Sequence, residues 1–186
     1  MIRIIAGTAG GRRLQAPAGR DTRPTSDRVR EALFSRLEHE GLLDATRVLD
    51  LYAGSGALGL EALSRGARSA VWVEQGQAAA RTIRRNLAAT GLASGEVLAD
   101  RVERVLGRTP VGEPFDLVLA DPPYPLGEHD LAAVLAQLVG GRWLSMQAAV
   151  VVERSARTPE PTWPAGLERY DERRYGETTI WFAERV

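Results

Sequence analysis

The chain has 186 residues, of which 44% are hydrophobic, so it is long enough and apolar enough to fold as one domain with a real core. Its 24 basic and 24 acidic residues cancel, so the net charge by itself predicts no partner. The absence of cysteine excludes disulfides, a thiol nucleophile and a cysteine-based zinc site, and no apolar run has the length of a signal peptide or a membrane span. We expect a soluble cytoplasmic protein.

The N-terminal segment is predicted to form a basic β-hairpin. Residues 2–6 and 12–16 have the pattern of two short strands, and the glycines between them favour a turn. Residues 1–30 carry seven arginines against two aspartates, an excess of five positive charges that the rest of the chain balances. This asymmetry favours a basic arm for nucleic acid, and an ordinary solvated basic face is the alternative.

A helix is predicted to follow this arm. Thr25 or Ser26 is a suitable N-cap, because a short side-chain oxygen can accept from the free N–H groups of the first turn. Apolar residues at four-residue spacing predict one buried face, formed by Val29, Leu33 and Leu37. Arg28 and Arg30 are then expected at the sides of the helix.

From residue 47 onward, strands and helices alternate. Strands are predicted at about 47–52, 69–74, 96–99, 115–120 and 148–153, with helices near 57–65, 77–90, 101–106 and 128–139. Alternation of this kind predicts a parallel sheet with right-handed crossovers and helices on both faces. Residues 169–175 and 178–183 are predicted to close the fold as a hairpin. The expected class is therefore α/β, with a mostly parallel sheet and one antiparallel strand.

The strand at residues 48–51 leads into a glycine-rich turn and a helix. Gly54, Gly56 and Gly59 fit the pattern G-x-G-x-x-G, and Glu74 lies twenty residues beyond Gly54. This spacing is typical of dinucleotide folds, in which glycines let the backbone approach a ligand and the acid holds a ribose. An NAD-binding domain is therefore a serious alternative, and a turn whose glycines only allow packing is another.

The strand at residues 115–120 ends in Asp121-Pro122-Pro123-Tyr124. Ligands of open parallel sheets bind at the carboxyl ends of the strands, so these residues are expected beside Gly54 and Gly56. The prolines have no N–H to donate, which leaves the Asp121 carboxylate and the Pro122 carbonyl as acceptors. Acceptors beneath an aromatic ring suit a planar group that bears an NH₂. A rigid loop after a strand is the structural alternative.

These motifs resemble those of class I S-adenosylmethionine-dependent methyltransferases. The closer similarity is to the bacterial family that methylates guanine N2 in 16S ribosomal RNA. Its marks here are the segments at residues 3–7, 11–12, 23–34, 50–56 and 121–124. The Asp-Pro-Pro-Tyr motif is shared with amino-group methyltransferases of DNA and protein, and the Arg23-Pro24-Thr25 segment narrows the resemblance. It implies a Rossmann-like seven-stranded sheet and a small N-terminal hairpin.

The resemblance also implies a cofactor site for S-adenosylmethionine. The turn of Ala53, Gly54, Ser55 and Gly56 would hold the methionine part, with Asp50 near its amino group. Glu74 would accept bonds from the ribose hydroxyls. Asp100 would bind the adenine amine with help from the Arg101 backbone N–H, although a plain helix N-cap explains Asp100 equally well.

In the implied reaction, Asp121 and the Pro122 carbonyl accept the hydrogens of a guanine amine while Pro123 stiffens the loop. Tyr124 would stack on a base taken out of its helix or loop. The sulfonium loses its charge as the methyl leaves, so no metal is expected.

The expected RNA contacts come from the N-terminal third of the chain. The predicted RNA-binding residues are Arg3, Arg12, Arg13, Arg23, Arg28 and Arg30. Residues 1–24 would form a basic RNA-binding extension and residues 25–186 the methyltransferase domain. The expected partner is 16S ribosomal RNA within the small subunit, and a monomer is the simplest expectation.

Three other functions compete with this one. An NAD dehydrogenase would need a substrate domain and an acid-base group, for which 186 residues leave little room. A DNA adenine-N6 methyltransferase would use the same chemistry, but it usually has an additional target-recognition region. A non-catalytic RNA-binding or ribosome-assembly protein would have no reason to keep Asp50, Glu74 and Asp121 together. Cofactor binding tests this last alternative, and RNA against DNA acceptance tests the second.

Overall fold

Strands and helices alternate through most of the part of the chain that the computed structural model describes, residues 1–17, 26–92 and 94–186. In chain order the elements are β1 (Ile2–Arg3), β2 (Arg13–Leu14), α1 (Asp27–His39), β3 (Arg47–Leu51), α2 (Ala57–Ser64), β4 (Ser69–Val73), α3 (Gln77–Thr90), β5 (Gly95–Leu98), α4 (Val102–Leu106), β6 (Phe115–Ala120), α5 (Glu128–Gly140), β7 (Leu144–Ser155), β8 (Leu167–Tyr175) and β9 (Thr178–Arg185). In those ranges, no helix combines the length and apolar character that crossing a membrane requires.

Seven of the strands form one sheet in the order β5-β4-β3-β6-β7-β9-β8. Strands β3 to β7 pair in parallel, and β9 pairs antiparallel with both β7 and β8. The predicted sheet with one antiparallel strand is thereby confirmed. The strand order reverses between β3 and β6, so the carboxyl ends of these two strands flank the place where open α/β sheets bind ligands.

The two faces of the sheet are covered by different helices. Side chains alternate along β6, so Leu117 and Leu119 pack in a cluster with α1, α2 and α3. Val118 and Ala120 point the other way, into a cluster with α4 and α5. A strand that is buried on both faces is apolar at most of its positions, which explains the apolar runs of the central strands.

The N-terminal hairpin forms, but its strands are shorter than the sequence analysis expected. Only two residues pair on each side, Ile2 with Leu14 and Arg3 with Arg13. The backbone N–H groups of Ile5 and Ala6 donate to the Glu61 carboxylate of α2. The hydrogen bonds of the hairpin therefore end at Ile4, whose N–H donates to the Arg12 carbonyl at 2.9 Å, because the next two donors are taken by α2. The expected domain boundary after residue 24 lies outside the described residues.

Strand β7 is longer than expected and begins at Leu144 rather than at residue 148. Met146 and Gln147 are exposed and interrupt the apolar pattern, so the sequence did not predict the start of the strand. A register shift between Phe115 and Leu117 of β6 accommodates the additional residues.

Helix α1 is capped by Ser26, whose Oγ accepts from the Val29 N–H at 3.3 Å. The other candidate cap, Thr25, lies outside the described residues. The helix buries Leu33, Phe34 and Leu37, and with them Arg30. The expectation that Arg30 lies to the side of the helix is therefore wrong. The buried stripe is wider than a four-residue spacing implies, because α1 lies against the sheet and touches α2 as well.

Candidate active site

The first half of the site is the turn between β3 and α2. Gly54 and Gly56 have φ angles of 57° and 79°, in the left-handed region that glycine adopts without strain. Gly56 is the N-cap of α2 and supplies no side chain to cap its free N–H groups. The Asp50 carboxylate does so instead, by accepting from the Gly59 N–H at 2.9 Å. The turn thus joins a strand end, a helix start and a buried acid.

The three glycines of the motif are required for different reasons. A Cβ on Gly59 would lie 2.3 Å from the Trp72 indole nitrogen, and one on Gly56 would lie 2.9 Å from an Ile83 methyl group. Both are fixed by packing of α2 against β4 and α3. A Cβ on Gly54 would meet nothing within 4 Å. Of the three, Gly54 alone faces open space, so it alone suits the expected approach of a ligand to the backbone.

Two acids lie beneath this turn, Asp50 at 1% exposure and Glu74 at 2%. Glu74 accepts from the Gly54 N–H at 2.9 Å and from the Gly76 N–H at 2.7 Å, so it holds the turn in place. Burial raises the pKa of Asp50 to about 8; the Gly59 N–H opposes this shift and the Glu74 charge adds to it. The site therefore contains one acid that is poised to change charge near neutral pH.

The second half of the site follows β6. Pro122 is buried, whereas the Tyr124 ring is 73% exposed. Burial raises the pKa of Asp121 well above its usual range, with further upward contributions from the charges of Glu153 and Asp50. The Arg154 charge opposes the shift. Because proline has no N–H, this edge presents acceptors beside an exposed aromatic ring.

One cavity of about 570 Å³ joins the two halves. The predicted site residues that line it are Asp50, Ala53, Gly54, Ser55, Glu74, Arg101, Asp121, Pro122, Pro123 and Tyr124. The cavity is therefore shared by residues that the sequence analysis assigned to a cofactor and residues that it assigned to an amine. This is the arrangement that transfer of a group between two bound molecules requires.

Asp100 has partners of its own. Its carboxylate accepts from the Arg101 N–H at 2.8 Å and pairs with Arg108 at 2.5 Å and Arg104 at 3.6 Å. These contacts, the backbone bond first, lower the pKa of Asp100. The N-cap of α4 is Arg101 rather than Asp100. Arg101 lines the cavity, and the role of Asp100 toward an adenine stays a prediction.

The arginines that were predicted to bind RNA have different surroundings. Four of those in the described residues are exposed: Arg3, Arg12, Arg13 and Arg28. Arg3 pairs with Asp27 at 3.0 Å. Arg30 is 2% exposed and lines the cavity. Arg23 lies outside the described residues.

Two charged residues at the end of β7 belong to the site but were not predicted from the sequence. Glu153 and Arg154 line the cavity, and the pairing of Ala120 with Val152 puts Glu153 next to Asp121. The Arg154 guanidinium donates to the Leu126 carbonyl at 3.0 Å. The sequence does contain a signal for these two residues. They directly follow an apolar run, which is the pattern that marked the strand end at Asp121. Among the described residues, no group of three acids or histidines is placed to hold a metal ion.

The family model described as Conserved hypothetical protein 95 matches this chain over residues 2–184. The chain belongs to this family. The Ribosomal RNA small subunit methyltransferase D of Escherichia coli K12 is 36% identical over 184 residues, which cover 99% of this chain and 90% of the relative. The solved structure of yhhF from Escherichia coli has a TM-score of 0.87 at 36% identity, covering 99% and 97% of the two chains. A hypothetical protein of Thermus thermophilus has a TM-score of 0.81 at 34% identity, with 98% of each chain covered.

Family membership confirms the resemblance that the motifs indicated, and the structural matches confirm the Rossmann-like methyltransferase fold. A magnesium protoporphyrin IX methyltransferase solved with bound S-adenosylmethionine shares this fold at 12% identity and a TM-score of 0.66. S-adenosylmethionine is bound in that neighbour, and for this chain it stays the expected cofactor. The NAD-binding alternative finds no support among these relatives.

Proposed function

We propose that this protein transfers a methyl group from S-adenosylmethionine to the N2 amine of a specific guanine in 16S ribosomal RNA. The observation that carries the proposal is the shared cavity, in which the acceptor edge of Asp121 and Pro122 faces the glycine turn. The names of relatives such as the Escherichia coli small-subunit methyltransferase support ribosomal RNA as the substrate. The reaction would take place in the cytoplasm, on a small subunit or an assembly intermediate, with the protein acting as a monomer.

The residues at the turn fit the proposed cofactor. The open space in front of Gly54 leaves room for a ligand against the backbone. Asp50 supplies a carboxylate for an ammonium group, and Glu74, which accepts from the Gly54 and Gly76 N–H groups, supplies a carboxylate for ribose hydroxyls. When bound, S-adenosylmethionine supplies a methyl group on a positively charged sulfur. The acids of the turn would orient that sulfonium toward Asp121.

The chemistry at the amine depends on positioning. The lone pair of a guanine N2 is delocalised into the ring, so the amine is a weak nucleophile. Acceptance of its hydrogens by the Asp121 carboxylate and the Pro122 carbonyl would turn the lone pair toward the methyl group. Orientation of this kind contributes up to about 7–11 kcal/mol in favourable cases. The amine proton leaves after the N–C bond forms, and a carboxyl with a raised pKa is a suitable place for it.

Tyr124 would hold the base in this position. Its ring is exposed at the mouth of the cavity and offers a flat apolar face. A base that is flipped out of a duplex or loop exchanges its stacking neighbours for such a ring.

Transfer of a radiolabelled methyl group tests the proposal directly. Purified protein is incubated with labelled S-adenosylmethionine and either small subunits or naked 16S ribosomal RNA that lacks the modification. We expect label in N2-methylguanosine after digestion to nucleosides. Label in methylated adenine of DNA would support the adenine-N6 alternative. Binding of S-adenosylmethionine without transfer to any nucleic acid would contradict the proposal, and failure to bind it would favour a non-catalytic RNA-binding protein.

Substitution of Asp121 tests the acceptor edge. We expect Asp121→Ala to fold and bind S-adenosylmethionine while methyl transfer falls by about 100-fold or more. Asp44→Ala, which changes an exposed aspartate shortly before the start of β3, is the matched control and should keep full activity. Full activity in Asp121→Ala would remove this residue from the site.

A further inference from the structure

Arg30 is a buried guanidinium with unmet donors. Its Nη2 donates to the Arg3 carbonyl at 2.7 Å and to the Asp27 carboxylate at 2.8 Å. Its Nε and Nη1 have no hydrogen-bond partner among the described residues, although the side chain is 2% exposed. Native proteins rarely leave buried polar atoms unpaired, because their lost hydration is then not replaced. Two fixed contacts and two free donors indicate a group that is held ready for an acceptor.

The Arg30 side chain belongs to the wall of the proposed active site. Arg30 lines the same cavity as Asp121 and Tyr124, together with Ser155 and Thr178 at the ends of β7 and β9. The sheet order places these ends on the far side of β6 from Asp50 and Glu74. Asp50 and Glu74 thus lie on one side of Asp121, and Arg30 shares the cavity wall with the strand ends on the other side. A base whose amine meets Asp121 would extend its remaining ring atoms toward Arg30.

We propose that Arg30 recognises the target base by donating from Nε or Nη1 to an acceptor on the O6 and N7 edge of guanine. This inference rests on the proposed function, since it concerns the base in that same site. Both O6 and N7 are acceptors, and arginine on this edge is the commonest specific contact to guanine. Adenine carries an NH₂ group in place of O6, so two hydrogen-bond donors, this group and an Arg30 N–H, would oppose each other. Arg30 would therefore distinguish guanine from the adenine that other Asp-Pro-Pro-Tyr methyltransferases accept.

The same guanidinium would suit a phosphate, so the test must separate base from backbone. Subunits are reconstituted with ligated 16S ribosomal RNA that carries guanine, 2-aminopurine or 7-deazaguanine at the methylated position. Both analogues keep the reacting amine; 2-aminopurine lacks O6, and 7-deazaguanine lacks N7. We expect wild-type kcat/KM to fall about tenfold or more on at least one analogue.

Arg30→Gln and Arg28→Gln are then compared on the same substrates. We expect Arg30→Gln to lower kcat/KM on guanine about tenfold or more. Its kcat/KM values on guanine and on the analogue that the wild type disfavours should differ by less than about threefold. Arg28, exposed two residues earlier on the same helix, is the control, and its variant should keep the wild-type discrimination. The fold-loss in kcat/KM from Arg30→Gln and the fold-loss from the analogue could instead multiply when both are present. That result would assign Arg30 to a phosphate or to packing, and it would overturn the inference.

Two further results protect the test. Thermal unfolding and S-adenosylmethionine binding show whether the Arg30→Gln variant is folded. If the variant is not folded, the wild-type protein still provides a test, because equal methylation of guanine and both analogues would overturn the inference. Label in another nucleobase with the wild-type protein would defeat the proposed function, and the inference with it. Label in N2-methylguanosine with multiplying losses would defeat the inference alone.

Discussion

The Asp50 carboxyl combines a structural task with a position in the proposed cofactor site. It is buried beneath the glycine turn and is tied to the helix start by a single N–H, from Gly59. Burial without a paired cation disfavours the ionised form, and the neighbouring Glu74 charge disfavours it further. The ionised form is therefore favoured only when a positive charge arrives, which is what the proposed cofactor would bring.

Stability should depend on pH through this residue. The pKa of Asp50 is raised from 3.8 in the unfolded chain to about 8 in the fold, so the folded state keeps a proton that the unfolded chain releases. The contribution of Asp50 to the free energy of unfolding is fully present below pH 3.8 and is lost as the pH rises through about 8.

Asn mimics the protonated carboxyl, so Asp50→Asn should remove this dependence. We expect the unfolding free energy of wild type, relative to Asp50→Asn, to fall between pH 5 and 8 by at most about 1.4 kcal/mol per pH unit. Urea unfolding at several pH values measures this difference. Parallel curves for the two proteins would mean that Asp50 titrates normally.

At the scale of elements, α2 connects the N-terminal segment to the site. The Glu61 carboxylate is fully buried and accepts from the Ile5 and Ala6 backbone N–H groups and from Arg65. A Cβ on Gly7 would lie 1.9 Å from the Ser64 carbonyl oxygen, so only glycine allows this close approach. The helix that begins at the glycine turn therefore also holds the predicted RNA-binding hairpin in place.

Asn86 of α3 makes a second connection between hairpin and turn. Its amide nitrogen donates to the Ser55 carbonyl at 2.9 Å and to the Gln15 carbonyl at 3.0 Å, and its oxygen accepts from the Gln15 N–H at 2.8 Å. Asn86→Ala leaves these groups unpaired, so we expect a loss of about 1–3 kcal/mol in unfolding free energy and faster amide exchange at Gln15.

Asn86→Asp is the matched variant, because it can still accept from Gln15 but cannot donate to either carbonyl. It should exchange more slowly at Gln15 than the alanine variant. An unfolding free energy within about 0.5 kcal/mol of wild type for Asn86→Ala would show that the connection does not stabilise the fold.

At the scale of the whole molecule, the net charge of zero conceals a division. Four of the five excess positive charges in residues 1–30 belong to the hairpin and the start of α1, and Leu14 and Arg30 of this region line the cavity. Arginine on this side suits phosphate recognition. The distribution predicts that RNA approaches the site from the hairpin side.

Neutralisation of the hairpin should weaken RNA binding in a salt-dependent way. If Arg12 and Arg13 each contact one phosphate of single-stranded RNA, Arg12→Gln with Arg13→Gln should reduce the slope of log K against log salt by about 1.4. Binding to naked 16S ribosomal RNA at several salt concentrations measures the slope. Arg142→Gln, an exposed arginine just before β7, is the control. An unchanged slope in the double variant would place the RNA surface elsewhere.

Sequence reasoning was most successful where the signal is local. The helices start and end within two residues of their predicted bounds, and the sheet has the expected strands. Glu74 and Asp121 were found because each follows an apolar strand, whereas Asp50 was assigned from the family resemblance. Glu153 shows the same signal but was missed, since the start of β7 was placed too late and no motif drew attention to its end.

The sequence by itself determined the order of elements, the parallel crossovers and the acids at the strand ends, because periodicity and turn chemistry depend on neighbouring residues. Only the tertiary structure decided that Arg30 is buried with donors that have no partner among the described residues, and that Asp121 lies beside Glu153. It alone also showed that Asn86 holds Gln15, 71 positions away in the chain. The physical reason is the same for all three: the environment of a polar side chain depends on which elements pack against it.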